Sequence, residues 1–490
     1  MLKFVRVLPG LLFVVFLFQT ANAVTFVVTK TADTNDGTCD ADCSLREAVV
    51  AANASAEADV INFSSLFDTA QTITLSGTDI IITSSGGLTI NGPGADKLTV
   101  SGNNASRVFS NNTGAVTTIS GLRVTGGNGV STVTTGRGGG VYNSGGTLTL
   151  TNLIISGNTA ANGGGANNAG TATLNIINCI LSNNTATGAG GALQNFAGNT
   201  TNIRNSSIHN NTSNSTTTGG GAMQANGVVT ISNSTFANNS TVGGSGAIYY
   251  NGTGLVMTNV TIASNTSTAN GGGIHKATAT LNAFLRNNII AGNNGAAGSP
   301  DITGAFNSEG NNLIGNVGTS TTWVASDKLN ISPMLGAFGD NGGFGNTFLP
   351  MPGSPAIDAG QNCVVDLSCS ANNPPVALTT DQRGIARPSN GTVDIGAVEV
   401  AAAVNVSVGG RVLSDTGAGM PNTLVFLNSP GGTRSTRTNS FGYYRFDNVL
   451  TGTMLTVGVS SKLFNYANQN VTVNGQISNL DFQPTIQAVK

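Results

Sequence analysis

Charge is scarce in this 490-residue chain: Asp, Glu, Lys and Arg make up 9% of it, and the formal net charge is −2. The scarcity is uneven. Residues 24–96 carry ten acidic and two basic side chains, whereas residues 97–300 carry seven basic ones and no Asp or Glu at all. Acid–base chemistry built on a carboxylate pair therefore cannot be assembled from residues 97–300. Seven cations over that length are also too dilute for a nucleic-acid groove, and no row of aromatics accompanies them for stacking. Proline is missing between Pro93 and Pro300, as expected of backbone whose N–H groups are engaged in strand ladders. The only two histidines, His209 and His275, have no third partner to orient them for catalysis, so both read as surface histidines, the first on a strand and the second in a turn. Beyond residue 23 no apolar run reaches the length of a membrane span.

The low charge could suggest disorder, but 39% hydrophobic residues in a strict register point to a packed core. Residues 1–23 stand apart. Lys3 and Arg6 precede an apolar stretch from Val7 to Phe18, and Ala21-Asn22-Ala23 offers a small-residue cleavage site. This is the pattern of a secretory signal peptide, with Val24 the expected first mature residue. An exported chain can form disulfides. Cys39 and Cys43, and likewise Cys363 and Cys369, are close enough to staple short loops. Zinc is the competing reading, disfavoured because no histidine lies near either pair. Cys179 is left over; it replaces Leu153 and Val260 of other repeats and reads as a half-buried free thiol.

Six segments share one register. Asn152, Asn178, Asn205, Asn233, Asn259 and Asn287 recur at intervals of 26 to 28 residues. An apolar residue stands two positions before each and another three positions after, and a second asparagine follows at plus six: Asn158, Asn184, Asn211, Asn239, Asn265 and Asn293. Glycine clusters such as Gly138–Gly140 and Gly219–Gly221 precede most copies. Fixed periods of this length mark a solenoid, in which no repeat can bury its apolar face alone. The Gly, Asn, Ser and Thr content disfavours helix. Apolar residues alternate instead, as at Leu148 and Leu150 or Val229 and Ile231, which means strands with one face inward. Short strands and bends stacked coil on coil make a parallel β-helix, about 4.8 Å per coil and roughly 40 Å long. Continuing the alternation puts Asn152 and its five equivalents inward at a corner, where they are expected to form a ladder of amide hydrogen bonds. Replacing Asn205 or Asn233 by leucine is then expected to lower the melting temperature. At the start, Ser44-Leu45-Arg46-Glu47 fits a capping box opening a short amphipathic helix over the first coil.

These residues resemble known families. Cys43-Ser44-Leu45-Arg46-Glu47-Ala48 is similar to the CSLREA N-terminal region of bacterial exported proteins, here taken as the cap and first coils, residues 24–100. The repeats of residues 101–330 resemble the right-handed parallel β-helix of the pectate-lyase-like superfamily. Residues 331–399 resemble the choice-of-anchor Q domain through Pro333-Met334-Leu335-Gly336, Gly339-Asp340-Asn341-Gly342-Gly343, Pro352-Gly353-Ser354-Pro355-Ala356-Ile357-Asp358-Ala359-Gly360, Thr380-Asp381-Gln382-Arg383-Gly384 and Asp394-Ile395-Gly396-Ala397-Val398-Glu399; that resemblance implies surface display. Residues 404–486 resemble the carboxypeptidase regulatory-like domain, a small transthyretin- or Ig-like β-sandwich without a peptidase site, through Val408–Val412, Pro421–Leu427 and Asn439–Phe446.

The expected fold is therefore all-β, a right-handed parallel β-helix followed by a small β-sandwich. Related β-helix lyases hold calcium with aspartates and use an arginine or lysine base, and residues 97–300 lack every such carboxylate. The expected function is a non-catalytic adhesive, glycan-interacting or envelope protein, exported to the cell surface or beyond. Its expected partners are polysaccharide or cell-surface components, not nucleic acid. Two alternatives stand beside it: a polysaccharide lyase or hydrolase with its site on loops at the rod's ends, and a passive spacer presenting the sandwich. No cofactor is expected; a structural calcium at Asp33, Asp36, Asp40 and Asp42 is the alternative to solvated turns there.

Overall fold

The computed structural model describes residues 23–278, 280–296, 300–401, 405–429, 432–473 and 475–485, so nearly all of the expected signal peptide lies outside the described residues. Among these residues the rod is a parallel β-helix. Two sheets of eleven strands and one of nine run along it, and a short one of five spans the middle coils from Thr159–Ala160 to Thr266–Ser267, every neighbouring pair parallel and in register. In a representative coil the chain passes from Thr173–Ile177 in the first sheet to Ile180–Ser182 in the second, then through Thr185–Ala186 in the short sheet to Leu193–Asn195 in the third. Period-two alternation sends Leu174 and Ile176 inward, stacked on Leu148 and Leu150. Glycines make the bend before the third sheet because the backbones of neighbouring coils approach there too closely for a Cβ. A Cβ on Gly221 would stand 2.2 Å from the Gly246 carbonyl oxygen.

The corners correct the expected ladder. Asn152, Asn178, Asn205, Asn233, Asn259 and Asn287 all adopt left-handed backbone, with φ between 44° and 55°. That conformation breaks the alternation. The asparagine turns outward, where Asn178 Nδ2 still donates to Asn152 Oδ1 and Asn287 Nδ2 to Asn259 Oδ1, and the next residue (Leu153, Cys179, Ser206, Ser234, Val260) takes the inward slot, fully or almost fully buried. Asparagine suits the corner because its short side chain tolerates the left-handed region, which costs other L-residues roughly 1–2 kcal/mol. Asn152→Gly is accordingly expected to be near neutral in thermal unfolding, and Asn152→Val to cost about 1–2 kcal/mol. Equal losses for the two would contradict a conformational role.

A second left-handed corner follows five positions later, at Gly157, Asn183, Asn210, Asn238, Ser264 and Gly292. Here too the next residue turns inward, and it is always asparagine. These plus-six asparagines form the inward ladder. Nδ2 of Asn158, Asn184, Asn211, Asn239 and Asn265 each donates to Oδ1 of the next at 2.9–3.0 Å. Each Oδ1 also accepts the backbone N–H of the residue one coil before. The ladder ends where Asn293 donates to Oδ1 of Asp301, a carboxylate that only accepts. A third file, Asn111–Asn143–Asn168–Asn195, lines the far end of the third sheet in the same way.

Helix α1, Leu45–Asn53, caps the first coil through the expected capping box: Ser44 Oγ accepts the Glu47 N–H, and the Glu47 carboxylate accepts the Ser44 N–H. Leu45, Ala48, Val49 and Ala52 are buried beneath it. Disulfides close Cys39–Cys43 and Cys363–Cys369, and Cys179 is a buried free thiol. Residues 331–399 form a strap with little regular structure, laid on the outer face of the second sheet. Ser207 Oγ donates to Asn346 O, Thr235 Oγ1 to Gln382 Oε1, and Asn259 Nδ2 to Asp394 O and Gly396 O. Phe348 packs on Ala237 and Ala263, and Ile395 and Ala356 on Ile289.

The C-terminal region is an antiparallel β-sandwich. Asn405–Arg411 pairs with Tyr443–Leu450 in one sheet; Gly432–Arg437, Leu424–Ser429, Met454–Ser460 and Gln469–Thr472 form the other. Its core, including Val408, Val425, Leu427, Phe446, Val457 and Phe482, is separate from that of the rod.

Candidate binding cleft

The three long sheets offer different outer surfaces. The second is covered by the strap along its later coils. On the first, the outward polar row bonds to itself: Asn202 Nδ2 donates to Asn175 Oδ1 at 2.9 Å, and Asn175 Nδ2 to Thr149 Oγ1 at 3.2 Å. The third sheet is different. Eight of its nine strands are three residues long and Ile302–Thr303 is two. After Ile81 in the first, the outward residues Ser110, Tyr142, Asn167, Gln194, Gln224, Tyr249, His275 and Thr303 form one file in register, bonded to itself among the described residues only where Asn167 Nδ2 donates to Gln194 Oε1. This is a row of amides, hydroxyls and aromatic rings rather than of charges. Near its middle, Phe196, Ala197, Thr218, Gln224, Asn226, Tyr249 and Asn251 enclose a cleft of about 400 Å³, within the range of small-ligand sites.

Several polar atoms of this file lack a protein partner. Gln224 is 5% exposed; its Nε2 donates to Asn226 Oδ1, but its Oε1 has no partner. Asn167 Oδ1, His275 Nδ1 and Thr303 Oγ1 are likewise buried and unpartnered. Buried polar atoms are ordinarily satisfied, since leaving one unmade costs about 1–3 kcal/mol. The ring of Tyr249 lies 5.1 Å from that of His275, and the Arg137 guanidinium sits 4.4 Å over Phe196.

The histidines differ from expectation. His275 lies in the strand Ile274–Lys276 rather than a turn, and burial lowers its pKa, so the imidazole is neutral at pH 7. His209 does face out of its strand, but the strap covers it: Phe338 packs 5.2 Å away and burial pushes its pKa down to about 4. The two are on different sheets and share no site.

Asp79 is the carboxylate at the N-terminal end of the file. It is held by hydrogen bonds from Ser110 and Ser131 and lies 3.6 Å from Arg107 Nη1. The four early aspartates are engaged separately: Asp33 with Arg46 and Ser76, Asp36 with the Thr38 N–H, Asp40 with the Asp42 N–H, and Asp42 with Lys30. Among the described residues, no three His, Cys, Asp or Glu side chains converge in a way that could hold a metal ion, and no helix is long and apolar enough to cross a membrane.

Sequence reasoning did not find the cleft. Its signal was there for six of the eight: Tyr142, Asn167, Gln194, Gln224, Tyr249 and His275 each follow a glycine cluster by two or three positions, as Gln224 follows Gly219–Gly221 and His275 follows Gly271–Gly273. Which strand residue faces out could not be assigned without the bend geometry.

Residues 407–485 match the carboxypeptidase regulatory-like domain. The rod is similar in structure to a pectate lyase, Pel9A, at 16% identity and a TM-score of 0.43, over 77% of this chain and 97% of that one. No curated protein matches the chain.

Proposed function

We propose that this is an exported, surface-displayed protein that binds polysaccharide along the third sheet of its rod without cleaving it. The open cleft lined by Phe196, Tyr249, Gln224, Asn226 and Asn251 carries this reading, because flat apolar rings beside amides suit a sugar's C–H faces and hydroxyls. A cutting site would need a carboxylate pair or a bound metal, and the cleft supplies neither set of ligands. Two disulfides and the leader pattern at residues 1–23 support export. The resemblance of residues 24–100 to CSLREA regions and of residues 331–399 to the choice-of-anchor Q domain supports display at a bacterial surface.

Affinity electrophoresis of the purified mature chain through gels cast with plant and bacterial polysaccharides tests the proposal. Retardation in at least one gel, with the polymer intact, is the expected result. Cleared zones would make the protein a depolymerase, and free migration in every gel would return the rod to a spacer role.

A further inference from the structure

We infer that the cleft takes a neutral, hydroxyl-rich oligosaccharide rather than a polyanion. This deepens the polysaccharide reading and rests on it. Four observations point the same way. First, Gln224 Oε1 in the cleft and Asn167 Oδ1 farther along the same file are unpartnered buried acceptors; they call for hydroxyl donors, which a neutral sugar carries at more positions than a uronate, whose carboxylate only accepts. His275 Nδ1 and Thr303 Oγ1, in the same file, can accept as well. Second, the cations beside the file are already engaged. Arg107 donates from Nε to Arg137 O and Gly138 O, from Nη1 to Ser110 Oγ, and from Nη2 to Thr134 O and Arg137 O. Asp79 offsets its charge. Lys276 is buried with its ammonium bonded to Ala305 O.

Third, among the described residues a single cation beside the file remains. Arg137 stacks over Phe196, but a polyanion repeats its charge at every residue and would need cations repeated coil by coil. The file repeats amides and rings instead. Fourth, rings and amides sit together in the cleft, Phe196 and Tyr249 beside Gln224, Asn226 and Asn251. That mixture fits a ligand that is apolar on its ring faces and hydroxylated at its edges.

Titration calorimetry of the full mature chain with cellohexaose, xylohexaose, mannohexaose and hexagalacturonate tests this. At least one neutral hexaose is expected to bind, with an affinity unchanged within about twofold between low and high salt, because no ion pair is screened. Gln224→Ala and Tyr249→Ala should each weaken it about tenfold. Tyr249→Phe, which keeps the ring and the fold, should retain most of the affinity. Binding of hexagalacturonate alone, falling steeply with salt, would overturn the neutral ligand while leaving the polysaccharide reading intact. Neutral binding insensitive to both alanine variants would remove the ligand from this cleft. No binding of any of the four would sink the polysaccharide reading itself.

Discussion

Asn211→Ala is expected to destabilise the rod by about 4 kcal/mol, the sum of two buried donors stranded at about 1–3 kcal/mol each. The Asn211 side chain makes five hydrogen bonds in the core. It accepts from the backbone N–H and Nδ2 of Asn184, and donates to Leu181 O, His209 O and Asn239 Oδ1. Truncation leaves the Asn184 N–H and one of its amide hydrogens facing apolar space. Asn211→Asp should fare little better. An aspartate there would still accept from Asn184 but would set a second acceptor 2.9 Å from Asn239 Oδ1, an arrangement tolerated at Asp301 because the file ends there. Urea unfolding against Asn205→Ala decides the matter. Asn205 faces outward from a left-handed corner, so its truncation should cost only the conformational strain of about 1–2 kcal/mol. Equal losses at the two positions would mean that the inward amide file is not what holds the coils in register.

The second large effect lies in the strap. Glu399→Ala is expected to release residues 394–399 from the rod, at a local cost of about 3–5 kcal/mol, typical of a buried charge left without its partner. Arg387 and Glu399 are fully buried side chains 3.0 Å apart. Glu399 also accepts the N–H groups of Ser389 and Asp394. Arg387 in turn donates to Asp394 O and Gly396 O, the same two carbonyls that receive Asn259 Nδ2 from the rod. Loss of the carboxylate therefore loosens the docking contact itself. Faster hydrogen exchange at Ile395 and Val398, together with protease cleavage inside residues 331–399, is the expected readout; unchanged protection would show that apolar packing of Ile395 and Phe348 suffices.

The same cluster makes strap stability depend on pH. Burial raises the Asp394 carboxyl to about 7, against the hydrogen bonds from the Val400 and Asp358 N–H groups, and burial also raises Glu399. A carboxyl raised in the folded state favours folding while protonated. The Asp394 contribution is therefore complete below about pH 4 and is lost as pH rises through about 7. Strap protection, corrected for intrinsic exchange, should be higher at pH 5 than at pH 8. A monotonic gain toward alkaline pH would contradict the assignment.

Much of the fold was legible because it is periodic. The 26- to 28-residue interval, alternation at pairs such as Leu148 and Leu150, the proline-free stretch and the Ser44–Glu47 capping box each report a local requirement that does not depend on distant contacts. The resemblance of residues 404–486 to the carboxypeptidase regulatory-like domain, with turns about every eight to twelve residues, points to the sandwich for the same reason. The ladder lies one physical step from where alternation puts it. Alternation treats Asn152 as part of a continuing strand, but a positive φ there swaps the inward and outward slots. The plus-six asparagines, invariant across the six copies, are the inward file.

Sequence by itself determined that the chain forms coils, how many residues each contains, that residues 97–300 hold no carboxylate, and which cysteines lie close enough to pair. All of these follow from composition and from spacing along one chain. Tertiary structure alone decided which asparagines are buried, that residues 331–399 cover the second sheet, and that Phe196, Gln224 and Tyr249 meet in one cleft. The physical reason is stacking: residues one coil apart in sequence become neighbours about 4.8 Å apart, and two left-handed corners per coil set the direction in which each side chain points.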